Sequence, residues 1–580
     1  MRKTKIICTV GPAVDNENIL RELIRSGMDV ARFNFSHGDY KSHKERADAI
    51  KAIREEMGLP IALLCDTKGP EIRLGEIEGK KVELVPGQDF TLHVDDIVGD
   101  STNASISFKE LYRDVSQGSR ILIDDGLIEM IVERIDPNHD IVCKVINGGM
   151  VASRKGINVP GAKLSMPYMS QKDKDDLAFA VENGFDFIAA SFVRTASDVI
   201  TIRHELESLG GNDLRIIAKI ENAEGVENID EIIRVSDGIM VARGDLGVEI
   251  PLEDIPVIQK MIIKKAYYAG KQVITATQML DSMIKNPRPT RAESTDVANA
   301  IYDGTSAIML SGETAAGLYP VEALKTMARI AERTEDDIDY DRRFTSRMIK
   351  EAPNVTNAIS HATCTTALDL GAKAIITVSK SGKTARMISK YRPSCMIIGC
   401  TPEEKVWRQM NLSWGVVPVL VDEKTNTDEL FEHVVDKSVE HGLLENSDLV
   451  VITAGVPLGV AGTTNLLKVH LVGNILVTGT GAGGGQICGT LCVCSNENDA
   501  NKNFRKGDIL VIPKTSSRIL SVLKDAVGII TEEDGLNSYA AIVGMALEKP
   551  VIVGAENATQ LLKGGTSVTL DANRGVVYSG

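Results

Sequence analysis

Lys219 and Glu221 stand two residues apart at the end of the apolar run RIIAKIE, and Arg243 and Asp245 follow a second such run, GIMVA. Successive strand residues point to opposite faces, so Lys219 and Glu221 share one, and an acid–base pair at a strand end belongs to a site rather than a core. Two carboxylates with a lysine are groups that a hard cation and a phosphate require. Magnesium binds through one or two protein carboxylates, waters and substrate oxygens, and an ammonium beside it neutralises charge on a transferring phosphoryl group. The plain alternative is a surface ion pair beside a helix cap. It fits less well, because buried parallel strands rarely carry charge without a use for it.

Short β-branched runs alternate with amphipathic stretches through the first third and the middle of the chain. Strands are predicted at Lys5 to Val10, Val30 to Ser36, Ile61 to Thr67, Phe187 to Val193, Arg215 to Glu221, Gly238 to Ala242, Gln272 to Thr277 and Ser306 to Leu310. Helical patterns intervene, among them Asn18 to Ser26, Lys41 to Met57, Ser170 to Asn183, Val226 to Val235 and Val321 to Asp337. Strands separated by helices are parallel, and eight of them predict a closed (β/α)8 TIM barrel of the α/β class. The alternation is broken once. From Thr67 to about Met166 the runs alternate and are rich in turns, with no helical pattern beyond Phe108 to Asp114, which predicts an all-β domain inserted in a barrel loop.

A barrel puts its site at the C-terminal ends of its strands. Those ends carry Arg32, Asn34 and Ser36, then Asp66 and Thr67, Lys219 and Glu221, Asp245, and Thr277. Oxygens of Asn34, Ser36, Asp66 and Thr67 would make a second cage suited to a monovalent cation. Taken singly, Asn34 or Ser36 reads as a turn or helix cap; the convergence of several strand ends reverses that preference. After Ala242, the run Arg243, Gly244, Asp245 would present backbone N–H groups to a substrate carboxylate.

The 580 residues give room for three to five domains. A formal net charge of −15 argues against a nucleic-acid binder, which would show a basic face. Nine cysteines without a CxxC pair read as reduced thiols, and the trio Cys488, Cys492 and Cys494 has no partner at zinc spacing. The start, MRKTKIICTV, lacks a signal-peptide core and no segment approaches bilayer-spanning length, so the expectation is a soluble cytoplasmic protein without membrane partners.

The segments TKIICTVGPA, VARFNFSHG, DTKGPEIR, KGINVPG, AKIEN, MVARGDLGVEIP, TATQMLDSM, PRPTRAE and MLSGETAAGLYP stand in one order that resembles the pyruvate kinase family. The resemblance implies transfer of the phosphoryl group of phosphoenolpyruvate to ADP, with magnesium or manganese and potassium, in a homotetramer. By motif, Glu221 and Asp245 match magnesium ligands, and Asn34, Ser36, Asp66 and Thr67 match potassium ligands. Arg32 and Lys219 match the groups that stabilise the transferring phosphoryl, Ala242 to Asp245 the backbone that holds the substrate carboxylate, and Thr277 the residue near the enolate. Asn34, His37, Arg73 and Lys155 match nucleotide-side positions, Lys155 within an insertion that closes as a lid in the family. Glu71 goes with potassium dependence; a lysine there would replace the cation. Two other readings fit parts of the pattern. A metal-dependent lyase or mutase acting on phosphoenolpyruvate or a keto acid would use Glu221 and Asp245 equally well but has no nucleotide for Arg73 and Lys155 to clamp. A non-catalytic metabolite sensor would not need every catalytic side chain.

The expected organisation is a catalytic barrel at 1–69 and 167–345, a β lid at 70–166, an α/β regulatory domain at 346–473 and an extension at 474–580. In the third part, SKSGKTA follows a strand pattern, putting glycine and hydroxyls where a phosphate can bind. It is not a Walker loop, because Thr377 stands where that loop needs glycine. The family resemblance implies an allosteric site for a sugar phosphate or nucleotide here, with Ser379, Ser381, Lys383 and Thr384 as candidates; a helix-capping loop is the plain alternative. In the extension, Gly479 to Gly484 matches GxGxxG, but the following QICGTLCVC alternates like a strand, so the dinucleotide fingerprint fails its context. The tail resembles the swivelling phosphohistidine domain of phosphoenolpyruvate-utilising enzymes, with Tyr539 where the phosphate-carrying histidine would stand. Tyrosine cannot form the labile phosphoramidate, so a structural or regulatory role is expected.

Overall fold

The structure, a computed structural model, describes residues 2–346, 354–446, 448–456, 464–473 and 475–579. Eight strands close a parallel barrel: β1 (Lys5–Thr9), β2 (Val30–Asn34), β3 (Ala62–Asp66), β4 (Phe187–Ala190), β5 (Arg215–Ile220), β6 (Gly238–Ala242), β7 (Gln272–Ala276) and β8 (Ala307–Leu310). Each neighbours the next in sequence, and β1 pairs with β8 to close the ring, Lys5 opposite Ala307. All eight predicted strands form, most with C-terminal ends one to three residues short of the sequence pattern, because the last residues leave the ladder to enter the loops of the mouth.

The strands read as unbroken apolar runs because both faces are buried. Ile7, Val30, Ala62, Leu64, Phe187, Ile217, Met240, Ile274 and Met309 fill the lumen. Their neighbours Ile6, Cys8, Ala31, Leu63, Ile216, Ala218 and Ile239 pack outward under the helices. Each buried large aliphatic side chain contributes roughly 1.5–3 kcal/mol. The helices begin where the sequence supplies caps. Asn16 caps Glu17–Arg25, and Asp39 and Ser170 open Tyr40–Met57 and Gln171–Glu182 with capping boxes. The predicted helix Val226 to Val235 is instead two helices, Ala223–Glu227 and Ile229–Val235, meeting at Asn228, whose side-chain amide donates to the Arg194 carbonyl at 3.0 Å.

The inserted segment is all-β, with a seven-stranded sheet and a two-stranded pair around its own core of Phe90, Leu92, Ile121, Met130, Val132 and Cys143. The predicted helix from Phe108 to Asp114 shrinks to one 3-10 turn, Leu111–Arg113. Beyond the barrel, Ala374–Val378, Met396–Thr401 and Val416–Leu420 pair in parallel, each followed by a helix, within a five-stranded sheet that includes Leu449–Ala454 and Leu466–Leu471. Part of that βα pattern, residues 457–463, lies outside the described residues.

The chain divides into two compact units: residues 1–369, 374–434 and 452–468, and residues 370–373, 435–451 and 469–580. The extension in the second unit builds an eight-stranded sheet with apolar layers on both faces. Gln486–Val493 is a strand, as its alternation predicts. The glycines before it serve close packing: a Cβ on Gly481 would lie 1.6 Å from the Ala572 carbonyl oxygen, a collision no side chain relieves. No described helix is long and apolar enough to cross a membrane.

Candidate active site at the barrel mouth

Parity along the strands builds the site. The lumen residues Ile7, Val30, Leu64, Ala189 and Ile217 are each followed two positions later by Thr9, Arg32, Asp66, Ser191 and Lys219. Five strands thus deliver a polar side chain to one level of the mouth. Glu221 follows Lys219 by another two residues, and Asn34 stands opposite Asp66 in the β2–β3 register.

These groups form one network. The Lys219 Nζ lies 3.0 Å from Asp66 Oδ1, 2.9 Å from Glu221 Oε1 and 2.6 Å from the Ser191 hydroxyl. The Arg32 guanidinium takes the other Asp66 oxygen at 2.6 Å and donates to Thr9 Oγ1 at 2.9 Å. Ser191 donates to Asp66 Oδ1 at 3.1 Å, and the Phe192 amide donates to Glu221 Oε2 at 2.6 Å. Two cations and two carboxylates are therefore held almost entirely out of water, with Asp66 and Glu221 each 1 % exposed.

Burial sets the charges against one another. For Asp66 burial disfavours the charged form, but Arg32 and Lys219 outweigh it and keep the carboxyl below its ordinary range. Burial likewise works against the Lys219 ammonium, and Asp66 and Glu221 reverse it, so the lysine stays charged. Glu221 is pushed up to about 7 by burial, Lys219 only partly compensating, while Asp245 and Asp66 add repulsion. Asp245 is raised by burial as well, against the pull of Lys219. Two carboxylates with raised proton affinity, facing the same lysine, are a donor pair that a hard divalent cation would relieve. No group of three or more His, Cys, Asp or Glu able to hold a metal forms among the described residues. Such an ion would rest on this pair and on oxygens from water and ligand.

The predicted carboxylate cradle also has a definite shape. A short helix, Arg243–Glu249, begins directly at the end of β6, with Ala242 as its first cap and Asp245 in its first turn. The Gly244 amide donates to Thr277 Oγ1 at 2.8 Å, and that hydroxyl donates to the Ala276 carbonyl at 2.6 Å. The Arg243 side chain is fully engaged within the protein. It pairs with Asp296 at 2.7 Å and donates to the Thr277 and Ala276 carbonyls. Thr277 and Gln278 both have left-handed backbones, with φ of 66° and 52°. That conformation is costly for a β-branched threonine, and the guanidinium braces it.

The other expected residues distribute as follows. Of the four cage oxygen donors, Asn34 Oδ1 accepts from the Ser36 amide at 3.1 Å, Thr67 is buried against the Ala189 carbonyl, and Ser36 is exposed in the turn after β2. Both Asp66 oxygens already serve Arg32, Lys219 and Ser191. His37 accepts at its carbonyl from His43 Nε2 at 2.9 Å, at the same turn. Arg73 and Lys155 belong to the inserted domain, where Arg73 pairs with Glu71 at 2.8 Å and Lys155 with Asp124 at 2.7 Å. A cavity of about 110 Å³ opens between that domain and the mouth, lined by Glu71, Asn158, Phe192, Arg194, Asp245 and Glu249. Asn158 crosses it, donating to Glu249 Oε1 at 3.1 Å. In the α/β domain, Thr384 is buried with its hydroxyl on Thr464 at 2.9 Å, Lys383 is exposed, and the Ser381 carbonyl accepts from Arg215 and Arg386, each at 3.3 Å. Ser379 follows the strand end, its amide on the Cys400 carbonyl. Tyr539 begins the helix Tyr539–Ala546, capped by Ser538.

Sequence reading missed Thr9, Ser191 and the Phe192 amide. Thr9 and Ser191 occupy the same parity positions as Arg32 and Lys219, so strand alternation alone would have found them; the Phe192 amide, at φ 53°, has no sequence signal.

Comparison with known proteins extends over the whole chain. Residues 1–324 match the model of the pyruvate kinase barrel domain, residues 357–470 that of the pyruvate kinase alpha/beta domain, and residues 504–575 that of the PEP-utilising enzyme mobile domain. The pyruvate kinase of Sporosarcina psychrophila is 49% identical over 581 residues, covering 100% of this chain and 99% of its own. That of Geobacillus stearothermophilus is 49% identical over 580 residues, with the same coverage. A crystal structure of a pyruvate kinase from Cryptosporidium parvum superposes with a TM-score of 0.77 at 42% identity, covering 81% of this chain and 96% of that one. With a closed barrel, a buried two-cation, two-carboxylate mouth and full-length relatives in agreement, the chain belongs to the pyruvate kinase family.

Proposed function

We propose that the barrel mouth transfers the phosphoryl group of phosphoenolpyruvate to ADP, giving pyruvate and ATP, and that its named residues divide the work as their chemistry allows. The observation that carries this reading is the Lys219 ammonium, buried yet charged, between Asp66, Glu221 and Ser191. Phosphoryl transfer needs donor and acceptor held in line and charge neutralised on the equatorial oxygens. Lys219 and Arg32 supply that charge from two sides. Glu221 and Asp245 would hold magnesium or manganese, which when bound neutralises phosphoryl and enolate oxygens. The Asn34, Ser36, Asp66 and Thr67 oxygens would hold potassium, with Glu71 in keeping with that dependence. The amides that open the Arg243–Glu249 helix receive the substrate carboxylate. Thr277 is a poor acid, and its role is to orient the water that protonates the enolate carbon.

The nucleotide belongs between Asn34 and His37 on the barrel and Arg73 and Lys155 on the inserted domain, which would act as a lid. The catalytic barrel is assigned to 1–69 and 167–345, the lid to 70–166, the regulatory domain to 346–473 and the mobile-type domain to 474–580. A sugar phosphate or nucleotide at Ser379, Ser381, Lys383 and Thr384 would regulate a cytoplasmic homotetramer.

Purified protein is expected to form pyruvate from phosphoenolpyruvate only with ADP and magnesium, and to slow sharply when potassium is replaced by a large organic cation. Pyruvate formation independent of ADP would end this reading. A chain ending at Gly473 is expected to retain turnover, since Tyr539 offers no phosphoramidate relay. Complete loss of activity in soluble, folded truncated protein would show the extension to be chemically required.

A further inference from the structure

On the opposite face from the active site, where β5 and β7 begin, several cationic side chains gather. Lys271 immediately precedes β7, and its Nζ donates to the Ser236 carbonyl at 2.6 Å. Arg386, on the helix Lys383–Lys390, donates to the Ser381 carbonyl at 3.3 Å. Both line one small open-sided cavity of about 20 Å³, together with Lys390, Arg392, Ser389 and Ser413. The Arg392 guanidinium donates to the Gly304 carbonyl at 2.9 Å and to the Ser306 hydroxyl at 3.2 Å. Four cationic side chains thus line the space, and among its described lining residues there is no carboxylate.

The nearest acid does not restore the balance. Asp237 is committed to Arg203 at 2.7 Å, to Arg215 at 3.4 Å and to the Ile216 amide at 2.9 Å. Arg203 and Arg215 therefore add two more cations for that one carboxylate. Burial, reinforced by Arg215, holds the Arg386 guanidinium down to about 10, and burial lowers Lys271 as well; Asp237 pulls both the other way without reversing either shift, and Arg386, Arg203 and Arg215 add to the lowering of Lys271. Fixed cations packed against one another at a partly desolvated junction are costly unless an anion shares the space. Planar guanidinium forks, an ammonium and serine hydroxyls are the donor set that recognises a phosphate group.

We propose that Lys271 and Arg386 form the core of a phosphate-binding site on the barrel floor, with one phosphate oxygen in the cavity and the remainder at its open side. The cavity has room for one or two atoms the size of a water oxygen, which is what a single inserted oxygen needs. None of Ser379, Ser381, Lys383 and Thr384 lines it, so it is a separate site from the proposed regulatory loop. The two are joined through the Ser381 carbonyl, which accepts from both Arg215 and Arg386.

The test uses the full-length protein, titrated calorimetrically with inorganic phosphate and, separately, with glycerol 3-phosphate. The Lys271→Gln/Arg386→Gln double variant is expected to lose one equivalent of bound phosphate, or at least tenfold in affinity for it. Lys383→Gln retains that equivalent. Because the substitutions relieve repulsion, the double variant in phosphate-free buffer melts no lower than the parent. Binding of both ligands identifies the phosphate group as sufficient, and binding of the ester alone identifies a phosphate monoester as the occupant. Unchanged phosphate stoichiometry and affinity in the double variant overturn the proposal, and so does loss of the same equivalent in Lys383→Gln.

Discussion

Lys219→Met is expected to lower kcat by at least ~10³-fold, the scale on which a single cation aimed at a transferring phosphoryl group acts. The loss should fall on kcat far more than on the KM for ADP, because Arg73 and Lys155 stand on a different domain. The same substitution removes the cation that touches both Asp66 and Glu221. A buried pair broken on one side costs ~3–5 kcal/mol, so melting should drop measurably as well. Folding is retained because Glu221, pushed up to about 7, takes up a proton readily once the lysine is gone, and Asp66 keeps Arg32. Lys219→Arg separates charge from shape: it should recover much of the stability and little of the rate, since a guanidinium cannot meet three acceptors arranged around one ammonium. Steady-state kinetics with thermal unfolding measures both, and appreciable turnover by Lys219→Met would remove the lysine from the chemistry.

Magnesium affinity is expected to fall steeply below neutrality. Burial pushes Glu221 up to about 7, so below that pH a proton occupies the oxygen the metal needs. Apparent affinity should then drop about tenfold per pH unit, following one proton displaced per ion bound. The sign for the metal-free chain follows from linkage. A carboxyl with raised affinity in the folded state leaves the fold most favoured below its unfolded value, near 4.5, with that contribution lost as pH rises to about 7 and constant above. Metal-free protein should accordingly lose melting temperature between those limits, and magnesium should restore it most at the alkaline end. Glu221→Gln should bind magnesium weakly and without this pH dependence. A binding curve flat between pH 5.5 and 7.5 would place the proton elsewhere.

What the sequence disclosed follows from which physical signal was local. β1 to β8 were legible because strands buried on both faces have no polar interruption until they reach the mouth, where the interruption is itself the site. Arg32, Asp66, Lys219 and Glu221 were found as charges at strand ends. Thr9 and Ser191 lie at the same level but carry hydroxyls, which are ordinary at any strand end, so only the parity of neighbouring lumen residues distinguishes them. Arg243 shows a different gap. The sequence offered its backbone N–H to a substrate carboxylate and said nothing of its side chain, which braces the Thr277 carbonyl and pairs with Asp296, and only three-dimensional contacts reveal that. The break at Asn228 was illegible for a related reason: its amide answers the Arg194 carbonyl, distant in sequence, against a locally continuous helical pattern.

The alternation that carries Ile217 to Lys219 and Leu64 to Asp66 has an evolutionary consequence. Inserting or deleting one residue within such a strand exchanges its lumen row for its outer row, sending a charge under the helices and an aliphatic residue to the mouth. Catalytic strands can therefore explore new chemistry by substitution but not by change of length. Each strand also offers only one or two addresses at the mouth. Groups beyond that allotment have to arrive on inserted chain, as the proposed nucleotide site has Arg73 and Lys155 do, and such insertions are free to vary in length because they begin after the ladder ends.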